Sequence, residues 1–230
     1  MRSVLISLGL CLALVTSVVI GASYEESKRV VVFDFGGVVG GSHRGLLEEK
    51  LAAELKISHE KVVKMIEAYE RAKRLNVSEK RFWHFYSVNS GIWLPSNWPS
   101  RFEEIKRHIV SLNPEMMKLV DELKEMGHRV AMLSNVTTKR SITIREKGFY
   151  NYFDPAVLSC EIGCAKPDKR SYTTLLKRLG NPPPGHCIFI DDKQANVDAA
   201  LDMGIDAIRF TSCDDLKLEL CKRKVFVKLY

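Results

Sequence analysis

Hydrophobic positions along the 230-residue chain follow two periods, short β-branched runs at a few places and a three-to-four-residue spacing between them. Residues 29–35 carry three valines and a phenylalanine ahead of Asp34, the pattern of a strand buried on both faces. Gly36, Gly37, Gly40 and Gly41 follow and permit tight turns. From Leu46 to about Leu112 the spacing is helical and predicts no strand. Ser58 caps a helix whose apolar face is Val62, Met65, Ile66 and Tyr69, and Ser78 caps one carrying Phe82, Phe85 and Tyr86. Residues 91–99, with two tryptophans and two prolines, break the pattern, and 101–112 resumes it.

Beyond this block the rhythm changes. Asn113-Pro114 opens a helix with the buried stripe Met116, Leu119, Val120 and Leu123, and Gly127 ends it. Strands are then expected over 129–133, 156–158, 187–190 and 207–210, and helices over 138–147, 168–179 and 194–203. Such alternation predicts an α/β fold, a three-layer, Rossmann-like parallel sheet covered on both faces. The helical block interrupts it just after the first strand, beside the carboxyl end where ligands of such sheets bind. The expected organisation is a core domain of residues 24–40 and 113–230 with a small α-helical cap, residues 41–112, inserted as a candidate lid.

The N-terminus adds a separate element. Met1 and Arg2 precede an uncharged run from Ser3 to Ser23 that closes in Gly21-Ala22-Ser23, and charge begins at Glu25. This order is that of a secretory signal, so residues 1–23 are expected to be cleaved and the protein exported, periplasmic or secreted. The same run is just long enough for a tilted anchor, the only membrane contact this alternative requires.

Composition narrows the classes. Hydrophobic content of 46% and charged content of 27% describe an ordinary globular chain. The net charge of +7 is spread along the sequence rather than gathered in one arm, and no nucleic-acid partner is expected. Cys11 lies in the apolar leader and five cysteines remain, an odd number for a disulfide framework. Cys160 and Cys164 could bridge after export. A zinc site from Cys160, Cys164, His186 and Cys187 has no standard spacing. Two glycosylation-type triplets begin at Asn76 and Asn135, the second among the candidate site residues.

The strand ends carry the chemistry. Asp34 ends the first strand, Ser134 the second, and Asp191-Asp192 the one after the triple proline, while Lys166 stands in a loop after the 156–158 strand. Carboxylates, a hydroxyl and an amine in one crevice suit phosphate and Mg²⁺, which takes hard oxygen ligands. In this the chain resembles the haloacid dehalogenase superfamily of hydrolases. Four motifs match in order: Val-Val-Phe-Asp34-Phe-Gly36-Gly37-Val, Met-Leu-Ser134-Asn135, Lys166-Pro167, and Ile-Phe-Ile-Asp191-Asp192 followed by Asn196. The insert is similar in position to that family's first type of helical cap.

The resemblance implies roles. Asp34 would attack phosphorus and form an aspartyl-phosphate. Ser134, Asn135, Lys166 and Gly37 would hold the phosphoryl group. Asp34, the Gly36 carbonyl, Asp191 and Asp192 would ligate Mg²⁺, with Asn196 behind them. One position departs: most phosphatases of the family place a second aspartate, the general acid and base, where this chain has Gly36. Three readings follow: the leaving group needs little protonation, or the cap supplies a donor such as His43, His84 or Tyr86, or turnover is slow and the protein mainly binds phosphate. The Asp-x-Gly form resembles the branch with α-D-glucose-1-phosphate phosphatases, which implies a small phosphorylated metabolite as substrate. His43, Arg44, His84, Trp93, Trp98 and Arg101 are candidate cap contacts. Dehalogenases of the superfamily are the rival, although Asp191 and Asp192 would then repel each other with no cation between them.

Overall fold

The computed structural model describes residues 28–42 and 44–226; the expected leader, with Cys11, and the candidate His43 lie outside the described residues. Contacts divide the chain into two compact units, one from Gly40 to Leu112 and one from the segments on either side.

The flanking unit is built on a five-stranded parallel sheet ordered β5-β4-β1-β6-β7. Its strands are β1 (Val30–Phe33), β4 (Arg129–Ser134), β5 (Ala156–Leu158), β6 (Cys187–Asp191) and β7 (Asp206–Arg209). Every residue of β1 is buried, as the unbroken apolar run requires. Val30 and Val32 join Ala131, Leu133, Tyr172 and Phe189 in one hydrophobic cluster. Chain order reverses at β1: the connection to β4 and β5 runs to one side, and β6 and β7 return on the other. That reversal leaves a crevice at the carboxyl ends of the three central strands. Register levels those ends, because Phe33 pairs with both Met132 and Ile190.

The intervening helices begin as the capping residues dictate. α5 (Pro114–Glu125) starts on Asn113, whose side chain accepts from Glu115 and Met116 N–H, and buries the four expected residues. α6 (Thr138–Glu146) is capped by Thr137 and α8 (Lys169–Arg178) by Asp168, with a one-turn α7 (Ser159–Ile162) before it. α9 (Gln194–Leu201) follows β6. A last helix, α10 (Cys213–Lys222), capped by Ser212, was not expected from the spacing.

The Gly40–Leu112 unit holds α1 (Arg44–Leu55), α2 (His59–Arg74), α3 (Glu79–Ser90) and α4 (Trp98–His108). Tyr69, Phe82, Trp83, Trp98 and Phe102 form its aromatic core. Two expectations are corrected. The block is not wholly helical, since β2 (Gly40–Ser42) and β3 (Val110–Leu112) pair antiparallel; Val110 is buried there, and three residues are too few for an alternation to show. The last helix starts at Trp98 instead of after Pro99, because a proline in the first turn has no intrahelical N–H to lose. Of the candidate contacts, Trp98 is 1% exposed and packs in this core, the ordinary alternative to a ligand contact.

Cys160 and Cys164 are free thiols. The zinc grouping fails on topology: Cys160 and Cys164 follow the carboxyl end of β5, whereas His186 and Cys187 stand at the opposite, amino end of the parallel β6.

Candidate active site

Strand register brings three separated segments together. Asp34 follows β1 and donates its backbone N–H to the Ile190 carbonyl at 2.9 Å, beside Asp191 at the end of β6. Asp34, Asp191 and Asp192 each offer a carboxylate oxygen, and these atoms lie within 4.8 Å of one another. Lys166 is the counter-charge. Its Nζ stands 2.8 Å from Asp34 Oδ1 and 2.6 Å from Asp191 Oδ2, and donates to the Leu133 carbonyl at 2.6 Å. All three ammonium protons therefore have acceptors. The lysine side chain is 1% exposed, so this charge is held almost without water.

The loop carrying Lys166 is fixed by Asn135. The Asn135 amide donates to the Lys166 carbonyl and accepts from the Lys166 N–H, both at 2.8 Å. The Asn135 side chain is thereby spent on positioning the lysine. Both amide groups of Asn135, the first residue of the second glycosylation-type triplet, are therefore bonded inside the fold. Ser134 is buried at the end of β4, next to this clamp.

Asp191 is held from the other side. Asn196 Nδ2 donates to its two oxygens at 2.9 and 3.0 Å, and the Lys193 N–H donates to Oδ1 at 2.9 Å. Tyr172 continues the chain of contacts by donating its hydroxyl to the Asn196 carbonyl at 2.7 Å. Tyr172 was not singled out within the expected 168–179 helix; nothing in a lone tyrosine signals a partner 24 residues away. Ser159 was missed for the same reason, though its hydroxyl bonds both the N–H and the carbonyl of Val136.

Gly37 shapes the remaining wall. Its φ is +82°, and a Cβ there would stand 2.8 Å from Asp192 Oδ2. Gly36 has no such constraint: a Cβ would meet nothing within 4 Å. Asp192 Oδ1 is buried and has no hydrogen-bond partner. A buried acceptor without a donor is costly unless a cation takes that place. Electrostatics agree. Burial pushes the Asp34 carboxyl above the usual carboxylate range, with Asp191 adding to the rise and Lys166 opposing it. Burial, then the charge of Asp191, raises Asp192 in the same direction. Three carboxylates against one ammonium leave net negative charge in a largely buried cluster, and the all-oxygen donor set fits a hard divalent cation.

The candidate contacts of the helical unit have local partners. Arg44 pairs with Glu48 at 2.8 Å, and Arg101 grips Glu54 through two bonds of 2.7 and 3.0 Å. His84 and Trp93 are exposed, and Tyr86 is part-buried beside Phe82.

The sequence profile of the haloacid dehalogenase-like hydrolases matches residues 28–204. The chain belongs to that family. Among curated relatives of this hydrolase, a ribulose-1,5-bisphosphate 5-phosphatase from Halopiger xanaduensis is 28% identical over 51% of the chain, and the match spans only 48% of that protein. The sesquiterpene phosphatase astK of Aspergillus oryzae is 26% identical over 80% of the chain and 90% of its own length. Among solved structures, the putative HAD-hydrolase YfnB from Bacillus subtilis, bound to magnesium, superposes with a TM-score of 0.62 at 14% identity, over 84% of this chain and 98% of that one. At that identity the likeness shows the fold alone.

Proposed function

We propose that this hydrolase is a magnesium-dependent phosphatase of a small phosphate monoester, with Asp34 as the nucleophile. The observation carrying the reading is the cluster of Asp34, Asp191 and Asp192, the first two buried and the third half-buried, with Lys166 between Asp34 and Asp191. Mg²⁺ would be held by Asp34, the Gly36 carbonyl, Asp191 and Asp192. When bound it supplies the positive charge that draws in the phosphoryl oxygens and offsets charge as they shift. One Asp34 oxygen attacks phosphorus, the ester P–O bond breaks, and the alkoxide leaves with a proton from water or substrate. Water then cleaves the aspartyl-phosphate and releases inorganic phosphate with Asp34 restored. Lys166 aims the Asp34 carboxyl and opposes the burial that raises it, and Ser134 at the neighbouring strand end is the hydroxyl available to a phosphoryl oxygen.

Gly36 leaves no general acid at the usual position, which favours substrates whose leaving oxygen is weakly basic. An anomeric sugar phosphate has that property; the relative named for a phosphorylated sugar is a 5-phosphatase, which supports the sugar-phosphate class and not the anomeric position. The uncharged run at 3–23 supports export, or anchoring if it is retained. A second reading, a phosphate-binding protein of low turnover, also rests on Gly36. The deciding experiment measures phosphate release from an aryl phosphate and from a panel of sugar phosphates, nucleotides and acyl phosphates. Turnover that requires Mg²⁺ and disappears in Asp34→Asn supports the enzyme. Phosphate affinity without hydrolysis of any compound would favour the binding protein, and unchanged activity in Asp34→Asn would reject the nucleophile.

A further inference from the structure

The Gly40–Leu112 unit keeps its aromatic cluster inside, yet α3 and the turns at its two ends leave large apolar side chains in water. Val88 is 71% exposed, Phe85 52%, Leu75 71% and Trp93 80%. Val77, Arg81, Phe85 and Val88 recur at four, four and three residues, so within and just before α3 they form one outward stripe. Phe82 and Trp83 on the other side of the helix enter the core.

Charge is concentrated on the same segment. Residues 71–93 hold five cations, Arg71, Lys73, Arg74, Lys80 and Arg81, against one carboxylate, Glu79. Glu79 Oε1 is occupied by the Tyr69 hydroxyl at 3.4 Å and the Trp83 indole N–H at 3.3 Å. Among the described residues none of the five cations has a carboxylate partner. Arg81 lies 5.7 Å from the centre of the Phe85 ring, so charge and ring are presented together. Unpaired cations at the end of α2 and the start of α3, with exposed Phe85 and Val88 on α3 and Trp93 just beyond it, match a bilayer surface, whose headgroups are anionic and whose acyl boundary accepts aromatic rings.

We propose that the outer face of α3, with the turns at residues 75–78 and 91–97, is a docking surface for an anionic lipid bilayer. The inference is independent of the phosphatase reading, because no residue of the aspartate site takes part. Trp93 provides the probe: Trp83 and Trp98 are 3% and 1% exposed, so Trp93 is the tryptophan that a bilayer can reach. The full-length chain is mixed with vesicles carrying brominated acyl chains, either of phosphatidylcholine alone or with phosphatidylglycerol. Quenching of the Trp93 emission is expected on the phosphatidylglycerol vesicles, weakening as salt is raised and absent in Trp93→Phe. Replacing Lys73, Arg74, Lys80 and Arg81 together by Gln should raise the lipid needed for half-quenching by roughly 10²–10³-fold, about fivefold for each cation. Trp93 unquenched on anionic vesicles would overturn the proposal and point to an acidic protein partner. Equal quenching on neutral vesicles, or a four-Gln variant that titrates like the parent, would overturn it as well, leaving the apolar N-terminal run as the sole membrane contact. The lipid and salt comparisons use the unaltered protein and stand even if a variant misfolds.

Discussion

Replacing Lys166 by Met tests the electrostatic frame of the site directly. In the native fold one ammonium serves two carboxylates, at 2.8 and 2.6 Å, and the Leu133 carbonyl. Methionine keeps most of the volume but removes the charge, leaving Asp34 and Asp191 facing each other with a carbonyl unpaired. Losing one partner of a buried ion pair costs about 3–5 kcal/mol, and here a single cation has two partners, which points to the upper half of that range. For a chain of this size each kcal/mol moves Tm by about 2–4 °C, so the loss is roughly 8–20 °C at neutral pH. The Asp34 carboxyl is already raised by burial and would rise further without the lysine. A carboxyl whose folded pKa lies above its unfolded value destabilises when ionised, so stability should return as pH falls through that folded pKa. Thermal melts in chelator at pH 7.5 and pH 5 read both effects, and added Mg²⁺ should restore more Tm in the variant than in the parent. A loss under ~2 °C, or an equal loss at both pH values, would refute the charge-sharing picture.

Gly36→Asp introduces a carboxyl where a Cβ meets nothing within 4 Å; hydrolysis of alkyl phosphates should rise by up to ~10²–10⁴-fold, while an activated aryl phosphate, whose leaving group needs no proton, should change little. Equal gains on both would dismiss the missing proton donor as the limit. Gly37→Ala places a side chain at φ +82° and 2.8 Å from Asp192 Oδ2. It should cost about 1–2 kcal/mol and raise the Mg²⁺ midpoint measured by calorimetry by roughly 10-fold or more, an unchanged midpoint counting against Asp192 as a ligand. His128 accepts from the Arg29 N–H at Nδ1, 3.0 Å, and burial holds its pKa below the ordinary 6.5. A depressed folded pKa gives stability that is present above the unfolded value and lost as pH falls through the folded one. His128→Gln should therefore flatten the difference between melts at pH 7.5 and pH 5.5, and a parallel shift at both would remove His128 as the cause.

Local chemistry made much of this legible. The β-branched run before Asp34 could only be a buried strand, the Asn113-Pro114 pair could only open a helix, and Asp34, Ser134, Lys166 and Asp191 stood at strand ends or in the adjoining loop because period and turn signals are short-range. Where the signal was shorter than a period it failed. The three-residue β2 and β3 show no alternation, and Pro99 read as a break because a proline in the first turn and a proline in a loop look alike in sequence.

The sequence by itself determined the strands, the helices and the set of chemical groups, since each depends on neighbours a few residues away. Tertiary structure alone decided their partners. Pairing of β1 with both β4 and β6 set Asp34 level with Asp191. Only then did Asn135 fall on the Lys166 backbone, Tyr172 on Asn196 and Gly37 against Asp192. These contacts join segments 24 to more than 150 residues apart, and no local preference encodes a distance across a folded sheet.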